Sequence, residues 1–175
     1  MRGLPSSGKS YTARSLTGDS GVVCETDSYF HCEVGDDPTR YDYDRALLPI
    51  ARQWNLARFL GALRQERSPV VVDRGNGLSL ASRAYARKAV DYGYRVELKE
   101  PESPWWQEIR EVLKQPDRPA SSLDYWSERL ARLNRSSHRT SARRIRYRMA
   151  AWRFDLTVDD ILAFQPPSEG APEVP

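Results

Sequence analysis

The 175-residue chain holds two cysteines, two histidines and only four lysines among its 27 basic residues. Each scarcity excludes something. Cys24 and Cys32 cannot build a disulfide scaffold, and no His/Cys cluster has zinc spacing. No apolar run approaches the ~18 residues of a membrane-crossing helix, and the first residues lack the apolar core of a secretory leader. These absences set the expectation of a cytoplasmic protein without a membrane partner. Charged residues make up 29% of the chain, close to the ~25% of ordinary globular proteins, so a disordered composition is excluded too. The length suits one domain over residues 1–165, with enough chain to bury roughly 70% of its unfolded surface. Residues 166–175, rich in Pro, Glu and Gly, are expected to form a flexible tail.

What is present in excess is arginine. Of the 27 basic residues 23 are arginines, and nine of these lie between Arg129 and Arg153, a stretch without a single acidic residue. One reading is a solvated helical face. The other is a surface that meets phosphate, because guanidinium has the shape and charge to grip it.

Short β-rich runs alternate with helical ones. Val22 to Thr26 reads as a strand, and Val70-Val71-Val72-Asp73 as a β-branched strand buried on both faces. Tyr94 to Lys99 reads as a third strand, stopped by Pro101. An apolar stripe through Leu47, Ala51, Trp54, Phe59 and Leu63 predicts a helix over about Asp44 to Gln65. A second helix over Leu80 to Tyr92 ends at Gly93. Strand–helix–strand order predicts a parallel sheet in an α/β fold. Beyond Pro104 the pattern is helical: Trp105 to Lys114, Leu123 to Leu133, Ala142 to Trp152 and Val158 to Phe164.

Gly3-Leu4-Pro5-Ser6-Ser7-Gly8-Lys9-Ser10 matches GxxxxGK[ST] at every fixed position. Glycines allow the backbone to curl into a nest whose N–H groups face phosphate, and the helix that follows aims its positive end at the same anion. Lys9 would bridge β- and γ-phosphates, and Ser10 would ligate Mg²⁺. Gly3, Pro5, Ser6, Ser7, Gly8, Lys9, Ser10 and Tyr11 are therefore the candidate ATP-binding residues. A phosphate loop should follow a buried strand, yet only Met1 and Arg2 precede Gly3. At ~1.5–3 kcal/mol per buried apolar side chain, a missing five-residue strand would cost on the order of 10 kcal/mol, comparable to the ~5–15 kcal/mol stability of a whole domain. Two expectations follow: either the natural protein begins further upstream, or this chain is trimmed, with its N-terminal central strand missing.

Two aspartates close strands. Asp27 follows the Val22 strand, where a carboxylate can take the proton of an acceptor hydroxyl; a plain turn aspartate is the alternative. Asp73 ends the Val70 strand as a Walker B carboxylate does, and with Ser10 is the candidate Mg²⁺ residue; a helix cap is the alternative.

Taken together, these segments resemble the P-loop kinases related to phage polynucleotide kinase, in a bacterial and phage branch of ATP-binding proteins described as AAA-type. The resemblance runs through Arg2 to Ser10, Thr26-Asp27-Ser28-Tyr29-Phe30, Trp54 to Arg58, Val72-Asp73-Arg74-Gly75-Asn76, Glu100 to Trp106, Ser137-His138-Arg139 and Asp155 to Leu162. It implies a P-loop NTPase fold with a helical lid over about residues 123–152. It implies ATP and Mg²⁺ as cofactors, Asp27 as general base and Lys9 as the triphosphate lysine. It also implies lid arginines that clamp phosphates, by position Arg135 and Arg139, with Arg132 in reserve. The chain departs from the family pattern at Ser28, where a second aspartate is usual, and at Arg74 and Gly75. His138 reads as a phosphate contact or a cap. Trp54, Trp105 and Trp106 read as core before they read as stacking platforms. Asn55 and Arg58 are candidates for an acceptor groove, and Tyr41 and Tyr43, beside Arg40, for stacking on a nucleobase.

The activity this implies is transfer of the γ-phosphate of ATP to a hydroxyl, foremost a polynucleotide 5′-hydroxyl. A small-molecule kinase acting on a nucleoside, sugar nucleotide or antibiotic uses the same parts. A catalytically inactive nucleotide-binding scaffold is the third reading.

Overall fold

Val22–Cys24 (β1) and Val70–Val72 (β2) pair in parallel, with Val22 beside Val70 and Cys24 beside Val72. The computed structural model describes residues 1–32, 41–75, 77–134 and 140–166. Val22 N–H donates to Pro69 O at 2.9 Å and Asp73 N–H to Cys24 O at 3.0 Å, so the two strands end level. Glu25, Asp27 and Asp73 consequently emerge at the same carboxyl end of the sheet.

Alternation along these strands sends side chains to two faces. Val71 packs with Ala13 and Met1, and Val23 lies against them; this face is covered by α1, Lys9–Thr17. Cys24 and the flanking Val22, Val70 and Val72 pack on Phe59, Leu63, Tyr85 and Ala89, which belong to α3, Leu48–Arg64, and α4, Leu80–Asp91. Between β1 and α3 lie a 3₁₀ turn at Thr26–Ser28, the single helical turn α2, Tyr29–Cys32, and a second 3₁₀ turn at Arg45–Leu47. Local chemistry sets these boundaries. Pro49 sits in the first turn of α3, Ser79 Oγ accepts from Ser82 N–H at 3.1 Å to start α4, and Gly93 adopts φ 79° just after it.

The expected third strand does not form a ladder. Residues 94–100 alternate between half-buried and exposed with period two, as a strand would, but among the described residues the sheet has two strands. The reason lies beside them. Among the described residues, Met1 and Arg2 stand between β2 and this segment: the Met1 amine donates to Val72 O at 2.7 Å, and Arg2 N–H donates to Lys99 O at 2.7 Å. Below them lies a cavity of about 430 Å³, lined by Phe59, Val71, Tyr85, Val96, Leu98 and Ile161 among others. A ladder needs a neighbour, and among the described residues Met1 and Arg2 alone bridge β2 to this segment.

The second half is helical. α5 is Pro104–Lys114, α6 Ala120–Leu133, α7 Ala142–Ala150 and α8 Val158–Ala163. Trp106, Ile109 and Leu113 of α5, Leu123, Trp126 and Leu130 of α6, and Ile145 and Met149 of α7 form one buried cluster with Leu4 and Trp152. This helical core is thus continuous with the Gly3–Ser10 loop through Leu4. Arg118, at φ 42°, closes its far end by donating to the carbonyls of Leu113 at 3.1 Å, Met149 at 3.1 Å and Trp152 at 2.6 Å, and to that of Ala150. The architecture is mixed α/β, a short parallel sheet flanked by helices and followed by the helices α5 to α8.

Candidate functional site

The loop before α1 has the backbone of an anion cradle. Gly8 adopts φ 92° and Ser6 φ 56°, conformations that turn successive N–H groups to one side. A Cβ on Gly3 would come within 2.7 Å of Ser7 Oγ, and one on Gly8 within 3.1 Å of Ser103 Cβ. The loop is held from outside: Ser103 Oγ donates to Ser7 O at 2.8 Å and Trp105 Nε1 to Ser6 O at 3.0 Å. Lys9 Nζ arches over it to Leu4 O at 2.7 Å. Burial lowers the Lys9 pKa, and Asp73 opposes that effect.

Gly3, Pro5, Ser6, Gly8, Lys9, Ser10 and Tyr11 line a cavity of about 760 Å³ together with Glu25, Asp27 and Asp73. Ser7 turns the other way: it is fully buried, and its hydroxyl donates to Leu4 O at 2.7 Å. The carboxylates come from the level strand ends. Both oxygens of Asp73 are buried without a hydrogen-bond partner among the described residues. An orphaned buried carboxylate is costly unless a cation or ordered water takes its lone pairs, so this residue suits a divalent ion. Ser10 Oγ donates to Glu25 Oε1 at 3.4 Å. Burial raises the Glu25 pKa, and Asp73 and Asp27 push it further the same way. Asp27 accepts from Tyr41 Oη at 3.4 Å.

A sequence model of the AAA domain matches residues 1–151 of the chain. The chain belongs to this AAA-domain family. Its phosphate-loop domain is therefore a nucleotide-binding domain of the P-loop, kinase-like type. Among curated proteins, NEDD4-binding protein 2 of Homo sapiens is 35% identical over 109 residues, which is 61% of this chain and 6% of that protein. The chain thus spans a small fraction of that relative's length. No solved structure matches.

On the lid side of this AAA domain, Arg148 of α7, Asn134 and Thr140 line the cavity. Burial lowers the Arg148 pKa, Arg144 adds to the effect, and the Arg148 charge in turn lowers that of Lys9. Sequence reasoning missed Arg148 and favoured Arg135 and Arg139, which lie outside the described residues, as do His138, Asn76 and Arg40. A signal was present: Ile145 and Met149 mark the buried face of α7, and Arg148 lies a helical turn from Ile145 beside it. Arg132 does not line the cavity.

The acceptor side corrects other expectations. Asn55 is fully buried and its amide donates to Tyr85 Oη at 2.9 Å, so it is a core residue. Arg58 stacks 4.6 Å from the Trp54 ring and reaches Val23 O at 3.5 Å, away from the cavity. Trp54 is half-buried against Tyr29 at 5.6 Å, an edge rather than a core residue. Trp106 is core and Trp105 half-exposed, bonded to the loop. Tyr41 faces Asp27 within a ring cluster with Phe30, His31 and Tyr43. Arg52 and Arg74 join this wall. Among the described residues neither makes an ion pair; Arg74 lies 5.9 Å over Tyr85, and burial lowers its pKa. Arg74 follows Asp73 directly, but nothing in a single sequence says that Arg52, four residues into α3, faces the same space.

Proposed function

We propose that this chain is an ATP-dependent phosphotransferase that moves the γ-phosphate to a hydroxyl, with a polynucleotide 5′-hydroxyl as acceptor. The observation that carries the reading is convergence: Lys9, Ser10, Asp73 and Asp27 line one cavity, and Arg52, Arg74 and Arg148 line it too. The loop N–H groups and Lys9 would hold the β- and γ-phosphates of ATP, and Ser10 and Asp73 would hold Mg²⁺. Bound Mg²⁺ supplies neutralisation of the triphosphate charge. The Asp27 carboxylate accepts the proton of the attacking hydroxyl, and the Tyr41 hydroxyl holds that carboxylate in orientation. Arg148 faces the phosphate side and grips charge as it develops, as an arginine finger does. Three cavity arginines that make no ion pair among the described residues suit an acceptor that is itself anionic, which favours a nucleic-acid end over a neutral metabolite. In this reading the chain acts as one kinase domain.

The test is direct. Purified protein with Mg²⁺ and γ-labelled ATP is offered 5′-hydroxyl DNA and RNA oligomers beside a panel of nucleosides, sugar nucleotides and aminoglycosides. Label on the oligomers, with an apparent affinity that falls steeply with salt, is the expected result. Label on a small metabolite alone moves the acceptor to the small-molecule class. ATP binding without transfer to any acceptor supports the scaffold reading and refutes the proposal.

A further inference from the structure

Asn134 follows the last residue of α6 and is 1% exposed, yet it is polar on both sides of its amide. Thr140 N–H donates to Asn134 Oδ1 at 2.9 Å. A backbone N–H can only donate, so this contact fixes which amide atom is oxygen. Asn134 Nδ2 is then the atom 3.3 Å from Ser6 Oγ, and it donates. The Ser6 hydroxyl accepts through its oxygen and keeps its own proton. Ser6 lines the cavity, its carbonyl is taken by Trp105 Nε1, and its φ of 56° is held in the left-handed region. Thr140 stands two residues before α7, the helix that carries Arg148. One buried amide therefore joins the phosphate loop to the start of the lid helix.

We infer that Asn134 is a positioning residue that couples the phosphate loop to the lid. Its amide N–H₂ orients the Ser6 hydroxyl so that the Ser6 proton is donated to a phosphate oxygen of the bound nucleotide. Its amide oxygen holds the N-terminal end of α7, and with it Arg148, in register over the loop. This rests on the phosphotransferase reading for its turnover arm, but its binding arm needs only that the loop takes a nucleotide.

Three variants separate the roles. Ser6→Ala removes the donor. Asn134→Ala removes both amide contacts. Asn134→Asp keeps an acceptor for Thr140 N–H but turns the Ser6 proton toward its own carboxylate and away from phosphate. Affinity for a fluorescent ATP analogue with Mg²⁺ is measured first, for each variant and for the Ser6→Ala/Asn134→Ala double variant. A hydrogen bond to a charged group predicts about a tenfold or greater weakening for Ser6→Ala. Asn134→Asp should weaken binding at least as much, and the double variant should be no weaker than the worse single one. Additive losses in the double variant overturn the coupling to Ser6. For the lid arm, tryptic cleavage between α6 and α7 is followed with and without the analogue. Nucleotide should protect wild type and fail to protect Asn134→Ala, whereas Asn134→Asp, which retains the Thr140 bond, should regain protection once the analogue is saturating. Equal protection in all variants overturns the lid arm. If transfer activity is found, Asn134→Ala should lower kcat in wild type and not in an Arg148→Ala background; an equal fall in both refutes registration of Arg148. Absence of any transfer in wild type would sink the kinase reading while leaving the binding and proteolysis outcomes to decide this one.

Discussion

The Met1 amine is placed where a peptide nitrogen would suit better than a charge. It is buried beside β2, and burial lowers its pKa from 8.0 to about 6, against an opposing pull from Asp73. A folded-state pKa below the unfolded one means that, between pH 6 and 8, the unfolded chain binds a proton the folded chain does not. Stability therefore rises as pH goes from 6 to 8, and the full penalty is felt below pH 6. At about 1.4 kcal/mol per tenfold, the fall from 8.0 to about 6 corresponds to about 3 kcal/mol. Acetylating the amine removes the charge and should abolish that increment at pH 5.5 while changing little at pH 8.5. Extending the chain in front of Met1 by five alternating β-branched residues should do more, because the extension also fills the cavity between β2 and residues 94–100. Five apolar side chains at ~1.5–3 kcal/mol each, less ~1–2 kcal/mol per residue ordered, leave a gain on the order of 3–5 kcal/mol. For a chain of this size that raises Tm by at least about 6 °C. Urea unfolding followed by tryptophan fluorescence at both pH values reads these changes, and other titrating groups cancel in the difference between variants. A parent chain and an acetylated chain with the same pH dependence would refute the burial argument. An extension that leaves Tm unchanged would refute the idea that the slot accepts a strand.

Asp27→Asn keeps shape and removes the base; it should leave ATP affinity within a few-fold and cut turnover by ~10²–10⁴, so full activity in this variant ends the mechanism as drawn. Burial raises the Glu25 pKa above its ordinary 4.5, so the folded chain gives up this proton at higher pH than the unfolded chain does. Stability should consequently fall as pH rises through that window, and Glu25→Gln should flatten the slope in acid titration of the unfolding midpoint. Arg118→Ala takes the donor from the carbonyls of Leu113 and Trp152, while Met149 O keeps the Trp152 N–H, and should cost about 2–4 kcal/mol by urea unfolding, with loss of helicity around α7 first. Cys24 is buried with its pKa raised to about 11 by desolvation, so it should resist a maleimide reagent at pH 7.5 until denaturant is added.

How much of this was legible in sequence follows from the range of the forces involved. Capping, glycine conformation and apolar periodicity act within a few residues, and the helices over Leu48–Arg64, Leu80–Asp91, Pro104–Lys114 and Ala142–Ala150 begin and end close to where such signals stand. The phosphate loop is equally local, since its nest is built by consecutive residues with Gly8 at φ 92°. Asp73 follows β2 directly and Asp27 stands three residues past β1, and parallel pairing with level ends brings the residues beyond both strands together. The rest depends on partners distant in the chain. Residues 94–100 have a strand's alternation but no ladder among the described residues, because a ladder is a property of two segments and Met1 and Arg2 are the described residues that lie between. Asn55 looked like a groove residue until Tyr85, thirty positions away, gave its amide a buried partner. Asn134 and Ser6 are 128 residues apart in sequence and 3.3 Å apart in space, and Arg148 joins Lys9 only because Ile145 and Met149 bury the neighbouring face of α7 in the lid core. The sequence by itself determined the elements and the loop chemistry; tertiary packing alone decided which side chains share the cavity, because burial and long-range contact are set by where the helices dock.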